Sequence, residues 1–308
     1  MALPGVVSGE NSDMEVWCLQ LERTLVWLLP SVQHLIQSEL QQVPADYHSH
    51  TPLCRHAEGE PEAFVECAIA AGLSEYGISD HAPQVPEPFD DWRMEDAEFP
   101  AYLEWIARAR AHAGERIPVR AGLECDWLSG CEPWIHELAS RYEWDYFIGS
   151  VHYLGDWDFD NPKWLGRWAE SDVDAVWKHY WETYACMADS GLFDILGHPD
   201  LVKKFAHVPA GDLDRYYEPV IDAIAAAGSL IELNTAGLYK PCAEVYPAPR
   251  FLELACSAGV GLVISSDAHA PGELGRDFAQ AIEIAKAAGY RETTLLEKRK
   301  RRVESLPE

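Results

Sequence analysis

From residue 44 onward the chain repeats one pattern without repeating its sequence: a short apolar run, a polar loop, then a stretch of helical periodicity. The apolar runs at 45–48, 74–79, 117–123, 145–151, 192–197, 229–234 and 261–266 predict strands, because they are short and bounded by polar loops. Helical patterns fall between them near 61–71, 97–114, 131–140, 172–190, 212–227 and 247–258, with a last one at 276–288. Pro61 sits at a first-turn position and Ser171-Asp172 reads as a cap. Gly72, Gly191, Gly228, Gly259 and Gly289 mark helix ends. Seven β/α units in series predict an α/β fold with a parallel barrel. An open doubly wound sheet is the alternative, disfavoured because no Gly-rich nucleotide loop follows the first strand. No domain boundary is expected after residue 44, and the Pro- and Asp-rich stretch 83–100 reads as a long loop over the active face.

Residues 1–43 are expected to form an N-terminal extension, an accessory helical segment packed on the body, with an upstream extension not needed by the enzyme as the alternative. Residues 1–12 are small and polar and read as disordered. Residues 13–42 read as amphipathic helix, with Val16, Trp17, Leu21, Leu25, Leu28, Val32 and Ile36 on related faces and Pro30 as a break. Acidic residues Glu10, Asp13, Glu15 and Glu22 precede or enter the apolar run, and no basic segment or small-residue cleavage site accompanies it, so a signal peptide is not expected.

Charge narrows the partners. Fifty-one acidic residues against 24 basic ones give −27 over 308 residues. Such a chain repels nucleic acid and anionic membranes, whose binding depends on Lys and Arg. An anionic substrate would need a local positive centre, and bound metal ions are the natural one. The eight cysteines include no C-x-x-C pair and are spread widely, which predicts reduced thiols and a cytoplasmic protein.

The twelve histidines carry the chemistry. His34, His112, His136, His179 and His207 lie in or beside helical patterns and read as surface or packing residues. The other seven sit at or just beyond strand ends: His48, His50 and His56 after the first strand, then His81, His152, His198 and His269. Glu124 ends the third strand, and Asp267 ends the seventh, just ahead of His269. A β/α barrel gathers its site at the carboxyl ends of its strands, and clustered buried imidazoles need a charge partner. A shared metal site answers both points, and mixed His and carboxylate donors suit zinc, manganese or iron. In His48-Ser49-His50 and in Asp267-Ala268-His269, positions i and i+2 share a side of the chain.

The motifs DYHSHTPLCRHA (46–57), ISDHAP (78–83), GLECDW (122–127), IGSVHYL (148–154), LGHPDLVKKF (196–205), ELNTAGL (232–238), EVYP (244–247) and SSDAHAPGELG (265–275) occur in this order. Together they resemble the polymerase and histidinol phosphatase (PHP) superfamily, in particular its histidinol-phosphatase branch, over residues 44–290. The resemblance implies a distorted seven-stranded barrel of the PHP type spanning 44–308. It implies three divalent ions, the first held by His48, His50, Glu124 and Asp267. The second shares Glu124 and adds His152 and His198, and the third takes His56, His81 and His269. It further implies hydrolysis of a small phosphate ester, histidinol phosphate in histidine biosynthesis, by attack of a hydroxide bridging two metals. Glu124, Asp80 and His81 carry the catalytic roles in this reading, with Asp80 orienting His81 or moving a proton. Lys203 and Lys204, where resembling enzymes tend to carry arginines, are candidates for phosphate contact. Asn234, Glu244 and Tyr246 are candidates for the pocket wall, and Trp92, Trp127, Trp157 and Trp164 for a lid. An amidohydrolase would need a histidine at the end of strand six, where Asn234 stands instead. A different phosphate ester and a non-catalytic metal-binding barrel remain as alternatives.

Overall fold

A computed structural model describes residues 43–308. The expected helical segment at 13–42 lies outside the described residues. From residue 43 every expected strand position pairs in parallel, although each ladder is short. The extended segment 43–49 bridges Tyr76 on one side and Ile264 on the other, both through Asp46. From there pairing runs through β1 (Tyr76–Ile78), β2 (Val119–Ala121), β3 (Glu124–Asp126), β4 (Ile148–Ser150), β7 (Ile195–Leu196), β8 (Leu230–Asn234) and β9 (Leu262–Ser265). A bridge between His81 and Glu124 carries the β1–β2 pairing on to β3, so β2 and β3 are two halves of one interrupted strand. The pairings therefore return to their start, as a parallel barrel requires.

The helices lie where periodicity puts them: α1 (Pro61–Ala70), α2 (Phe99–Ala113), α3 (Glu132–Ser140), α5 (Val173–Asp189), α6 (Asp214–Ala227), α7 (Pro249–Ser257) and α8 (Phe278–Ala287). Pro61 occupies the first turn of α1, and Asp172 caps α5 by accepting from the Asp174 amide. Gly72, Gly191, Gly228, Gly259 and Gly289 all have positive φ, the left-handed conformation that ends a helix at least cost in glycine. A short α4 (Leu165–Ala169) and the antiparallel pair β5 (Tyr153–Leu154) and β6 (Trp157–Asp158) were not expected.

Strand alternation sorts the core into two parts. Ile148, Ile195, Leu230 and Val263 join Ala45, Tyr47 and Tyr146 in an inner cluster. Leu196, Ile231 and Ile264, their neighbours along the strands, pack outward against the helices. The inner cluster is completed by Leu295 and Leu296 of a C-terminal hairpin, β10 (Glu292–Glu297) with β11 (Lys300–Ser305). This hairpin, absent from the sequence expectation, sits at the amino ends of the strands. The Tyr47 hydroxyl accepts from the Leu296 amide at 2.9 Å and donates to Glu75 Oε2 at 2.6 Å. Arg299 Nε donates to Asp194 Oδ2 at 2.9 Å, and the Lys298 amide to Asp145 Oδ1 at 2.9 Å.

The seam between first and last strands is held by Asp46. Its carboxylate, fully buried, accepts from the amides of Ser266 at 3.1 Å and Gly275 at 3.0 Å. Gly77 and Gly122 let the inner tyrosines approach the strands: a Cβ at Gly77 would lie 2.4 Å from the Tyr146 hydroxyl and 2.7 Å from Tyr47 Cα. No helix among the described residues is long and apolar enough to cross a membrane.

Candidate metal centre

The carboxyl ends of the strands bring His48, His50, His81, Glu124, His152, His198, Asp267, His56 and His269 together. Glu124 is the hub. His198 Nε2 lies 2.9 Å from its Oε1, and His48 Nε2 lies 3.4 Å from its Oε2. His81 Nδ1 lies 2.7 Å from Oε2, and His152 Nε2 lies 3.6 Å from Oε1. Asp267 Oδ1 is 3.1 Å from His50 Nε2 and 3.7 Å from His48 Nε2. At the rim, His269 Nε2 and His56 Nε2 stand 3.0 Å apart. The His50 ring stacks on His269 with centroids 4.1 Å apart, and 4.4 Å separates it from the His81 ring.

The far nitrogen of most of these rings is tied down. His48 Nδ1 is paired with Glu232 Oε1 at 2.7 Å, His152 Nδ1 with Asp126 Oδ1 at 2.7 Å, and His50 Nδ1 with Asp80 Oδ1 at 3.3 Å. His56 Nδ1 meets the Cys54 carbonyl at 2.7 Å, and His269 Nδ1 the Asp267 carbonyl at 3.0 Å. In all five the other nitrogen, Nε2, is left for the shared centre, the arrangement that fixes a metal-binding imidazole. Meanwhile His48 Nε2, His81 Nδ1, His198 Nδ1 and Glu124 Oε2 are buried without a properly directed hydrogen bond. Orphaned buried polar atoms are costly, and a cation held among these donors satisfies them. The donor set fits divalent metal ions, and sets such as His48, His50 and Glu124, or His81, Glu124 and His152, have ligand atoms within 4.8 Å of one another.

Electrostatics agrees. Burial pushes the Glu124 carboxyl up, but the imidazoles of His81, His48 and His152 outweigh it and hold it well below the usual range. Asp267 is depressed in the same way, burial being overcome by His48 and His50. Burial lowers His50, yet Asp267 and Asp80 raise it to about 9; His152 is raised to about 10, with Asp126 and Glu124 overcoming burial. His81 and His269 go the other way, well below their ordinary value, because burial dominates. The same negative field that draws protons onto some rings draws a cation into their midst.

Residues 46–236 match the PHP domain. A protein of Deinococcus radiodurans named probable histidinol-phosphatase is 41% identical over 251 residues, covering 81% of this chain and 95% of that one. The chain belongs to the PHP family. The histidinol-phosphatase of Bacillus subtilis is 27% identical over 77% of this chain and 98% of its own. Among solved structures, the histidinol phosphate phosphatase of Lactococcus lactis, complexed with zinc, L-histidinol and phosphate, superposes with a TM-score of 0.71. It covers 84% of this chain and 98% of that one at 21% identity, which speaks for the fold.

In this PHP chain the candidates for substrate contact part ways. Lys204 lines the cavities of about 330 and 360 Å³ that open over the cluster, its Nζ 2.7 Å from Asp160 Oδ2. Tyr246 is buried yet also borders the 330 Å³ cavity. Lys203 is not brought there. It is 3% exposed, and its Nζ is taken up by Asp200 Oδ2 at 2.9 Å, Glu244 Oε2 at 2.6 Å and the Val245 carbonyl at 2.8 Å. Glu244 is thereby occupied with Lys203. Asn234 is buried and donates to Glu232 Oε2 at 3.0 Å and Asp267 Oδ2 at 3.4 Å, holding carboxylates rather than facing a cavity. The Asp80 carboxylate accepts the His81 amide but pairs with the ring of His50, not that of His81. Of the four tryptophans considered as a lid, Trp92 covers the site, its ring 4.6 Å from His81 and 5.4 Å from His152. Trp164 is exposed and does not line the 360 Å³ cavity, although the adjacent Lys163 does, while Trp127 packs against Phe193 and Trp157 against Trp168.

Sequence reading missed Asp126 and Glu232. Both were findable: each shares a strand side with a residue already singled out, Asp126 two positions after Glu124 and Glu232 two before Asn234. Arg93 was missed as well, a buried guanidinium whose Nη1 lies 2.7 Å from Asp126 Oδ2.

Proposed function

We propose that this chain hydrolyses L-histidinol phosphate to L-histidinol and phosphate, a step of L-histidine biosynthesis, in the cytoplasm. The observation that carries this is 41% identity over 95% of the Deinococcus histidinol-phosphatase relative, in a chain whose strand ends converge on a full His, Glu and Asp donor set. We assign His48, His50, Glu124 and Asp267 to a first ion, Glu124, His152 and His198 to a second, and His56, His81 and His269 to a third. Zinc, manganese and iron suit these donors. When bound, such ions offset the charge of phosphoryl oxygens and lower the pKa of water to near neutrality.

The chain's own residues do the rest. Glu124, depressed by its imidazole neighbours, stays ionised and would be the carboxylate that holds both the first and the second ion. Glu232, Asp126 and Asp80 hold His48, His152 and His50 in one tautomer and one orientation. Trp92 shields the cluster from one side, its ring against those of His81 and His152. Lys204, beside Asp160 at the cavity wall, is our candidate for a phosphate contact. Asn234 at the end of β8 leaves no imidazole for an amidohydrolase arrangement there.

The test is purification, elemental analysis, and phosphate release from histidinol phosphate against a panel of phosphomonoesters. More than one transition metal per chain and a clear preference for histidinol phosphate are expected. Preference for another ester would overturn the substrate, and one ion or none in an active preparation the three-ion assignment.

A further inference from the structure

Holding a phosphate dianion requires cations, and the cations near the cluster differ in how free they are. Lys203 is consumed by two carboxylates, and Lys204 is paired with Asp160. Arg276, which borders the same 330 Å³ cavity as Glu124, His198 and His269, is engaged far less. One terminal nitrogen, Nη1, donates to Glu273 Oε1 at 2.9 Å. Its Nε is buried without a partner, and Nη2 has no protein acceptor among the described residues.

The guanidinium is nevertheless held in place. Its carbon sits 3.8 Å over the centroid of Tyr239, a stacked cation–π contact that fixes the plane of the fork. The Tyr239 hydroxyl in turn donates to Asp277 Oδ2 at 2.6 Å. Glu273 couples this platform to the metal centre, because its second oxygen accepts the backbone amide of His269 at 2.8 Å. A planar cation, oriented by an aromatic face, tethered one residue from a ligand and left with spare donors, is the geometry that grips two oxygens of one phosphate.

We propose that Arg276 is the guanidinium that binds the substrate's phosphate, facing it across the cavity from Lys204. This deepens the phosphatase reading and rests on it. It also answers why lysines suffice at 203 and 204: the fork is supplied from the loop after β9 instead.

The test uses the metal-loaded enzyme and two variants, Arg276→Ala and Arg276→Gln, with inorganic phosphate as the probe in calorimetric titrations and histidinol phosphate in kinetics. Phosphate affinity and kcat/KM should each fall about ten- to a hundred-fold, the scale of a lost charge-assisted hydrogen bond, with metal content unchanged. Arg276→Lys should recover only part, since a point charge replaces a fork. Unaltered phosphate affinity in both neutral variants would overturn the proposal. So would loss of metal from both, which would make Arg276 a support for His269 through Glu273. A wild-type enzyme that binds phosphate through Arg276 but releases none from histidinol phosphate would instead overturn the substrate reading alone.

Discussion

Two of the residues we propose as metal ligands hold backbone conformations that side chains seldom adopt: His198 has φ of 24° and Asp267 has φ of 53°. Such strain persists only where the surroundings over-determine it. Here Glu232 does much of that, accepting the His198 amide at 2.7 Å, the His48 ring at 2.7 Å and the Asn234 amide group at 3.0 Å. Glu232→Gln keeps the shape but removes the charge that steadies His48. It should weaken metal binding by about 10- to 100-fold, read by competition with a chelating dye. Unchanged affinity with a lowered melting temperature would assign Glu232 to folding only. Lys203 makes a contrasting case. Lys203→Met leaves Asp200, fully buried, without its counter-charge, and should cost about 3–5 kcal/mol of stability in chemical denaturation. At this scale the histidines were legible because they fall at strand ends, where few other roles exist for them. The division of labour between Lys203 and Lys204 was not, because adjacent residues of like charge differ only in which way the loop turns them.

At the scale of elements, the helices were readable from period and punctuation, and seven strand positions from their apolar runs. What was not readable was the C-terminal hairpin. Lys298, Arg299, Lys300, Arg301 and Arg302 form a charge run that reads as a solvated tail. Only the barrel's acidic lower rim, with Asp145 and Asp194, explains why the chain turns there. Leu296, fully buried in the inner cluster, is the plug's anchor. Leu296→Ala should destabilise by about 2–5 kcal/mol, measured by denaturant unfolding, with metal affinity preserved because the proposed ligands lie at the other end. Gly77→Ala should also destabilise, by about 1–3 kcal/mol or more, since the new methyl would meet the Tyr47 backbone at 2.7 Å.

For the whole molecule, metal and proton compete for one set of nitrogens. His50 and His152 hold protons more tightly than free imidazole, at about 9 and about 10, so the ions assigned to those two rings must displace protons to enter. Metal affinity should therefore fall as pH falls, seen as a weaker apparent affinity in chelator competition at about pH 6 than at about pH 8. Stripping the ions should lower the melting temperature, because binding to the folded state alone stabilises it by mass action. We also propose that catalysis does not need residues 1–42; Val43, paired with Leu73, already belongs to the catalytic body. Deleting 1–42 should leave metal content and phosphate release intact, and loss of metal from a folded variant would refute that boundary.

The seam at Asp46 has a temporal side. The strand that opens the ring is made early in synthesis, whereas its partner Ile264, the Ser266 and Gly275 amides, and the ligands Asp267 and His269 are made more than two hundred residues later. A nascent chain still attached to the ribosome thus carries His48 and His50 with no finished pocket to place them in. On the proposed ligand set, the ions can be captured in full only by a chain that has emerged past residue 269, so full metal occupancy reports that synthesis has passed the last strand.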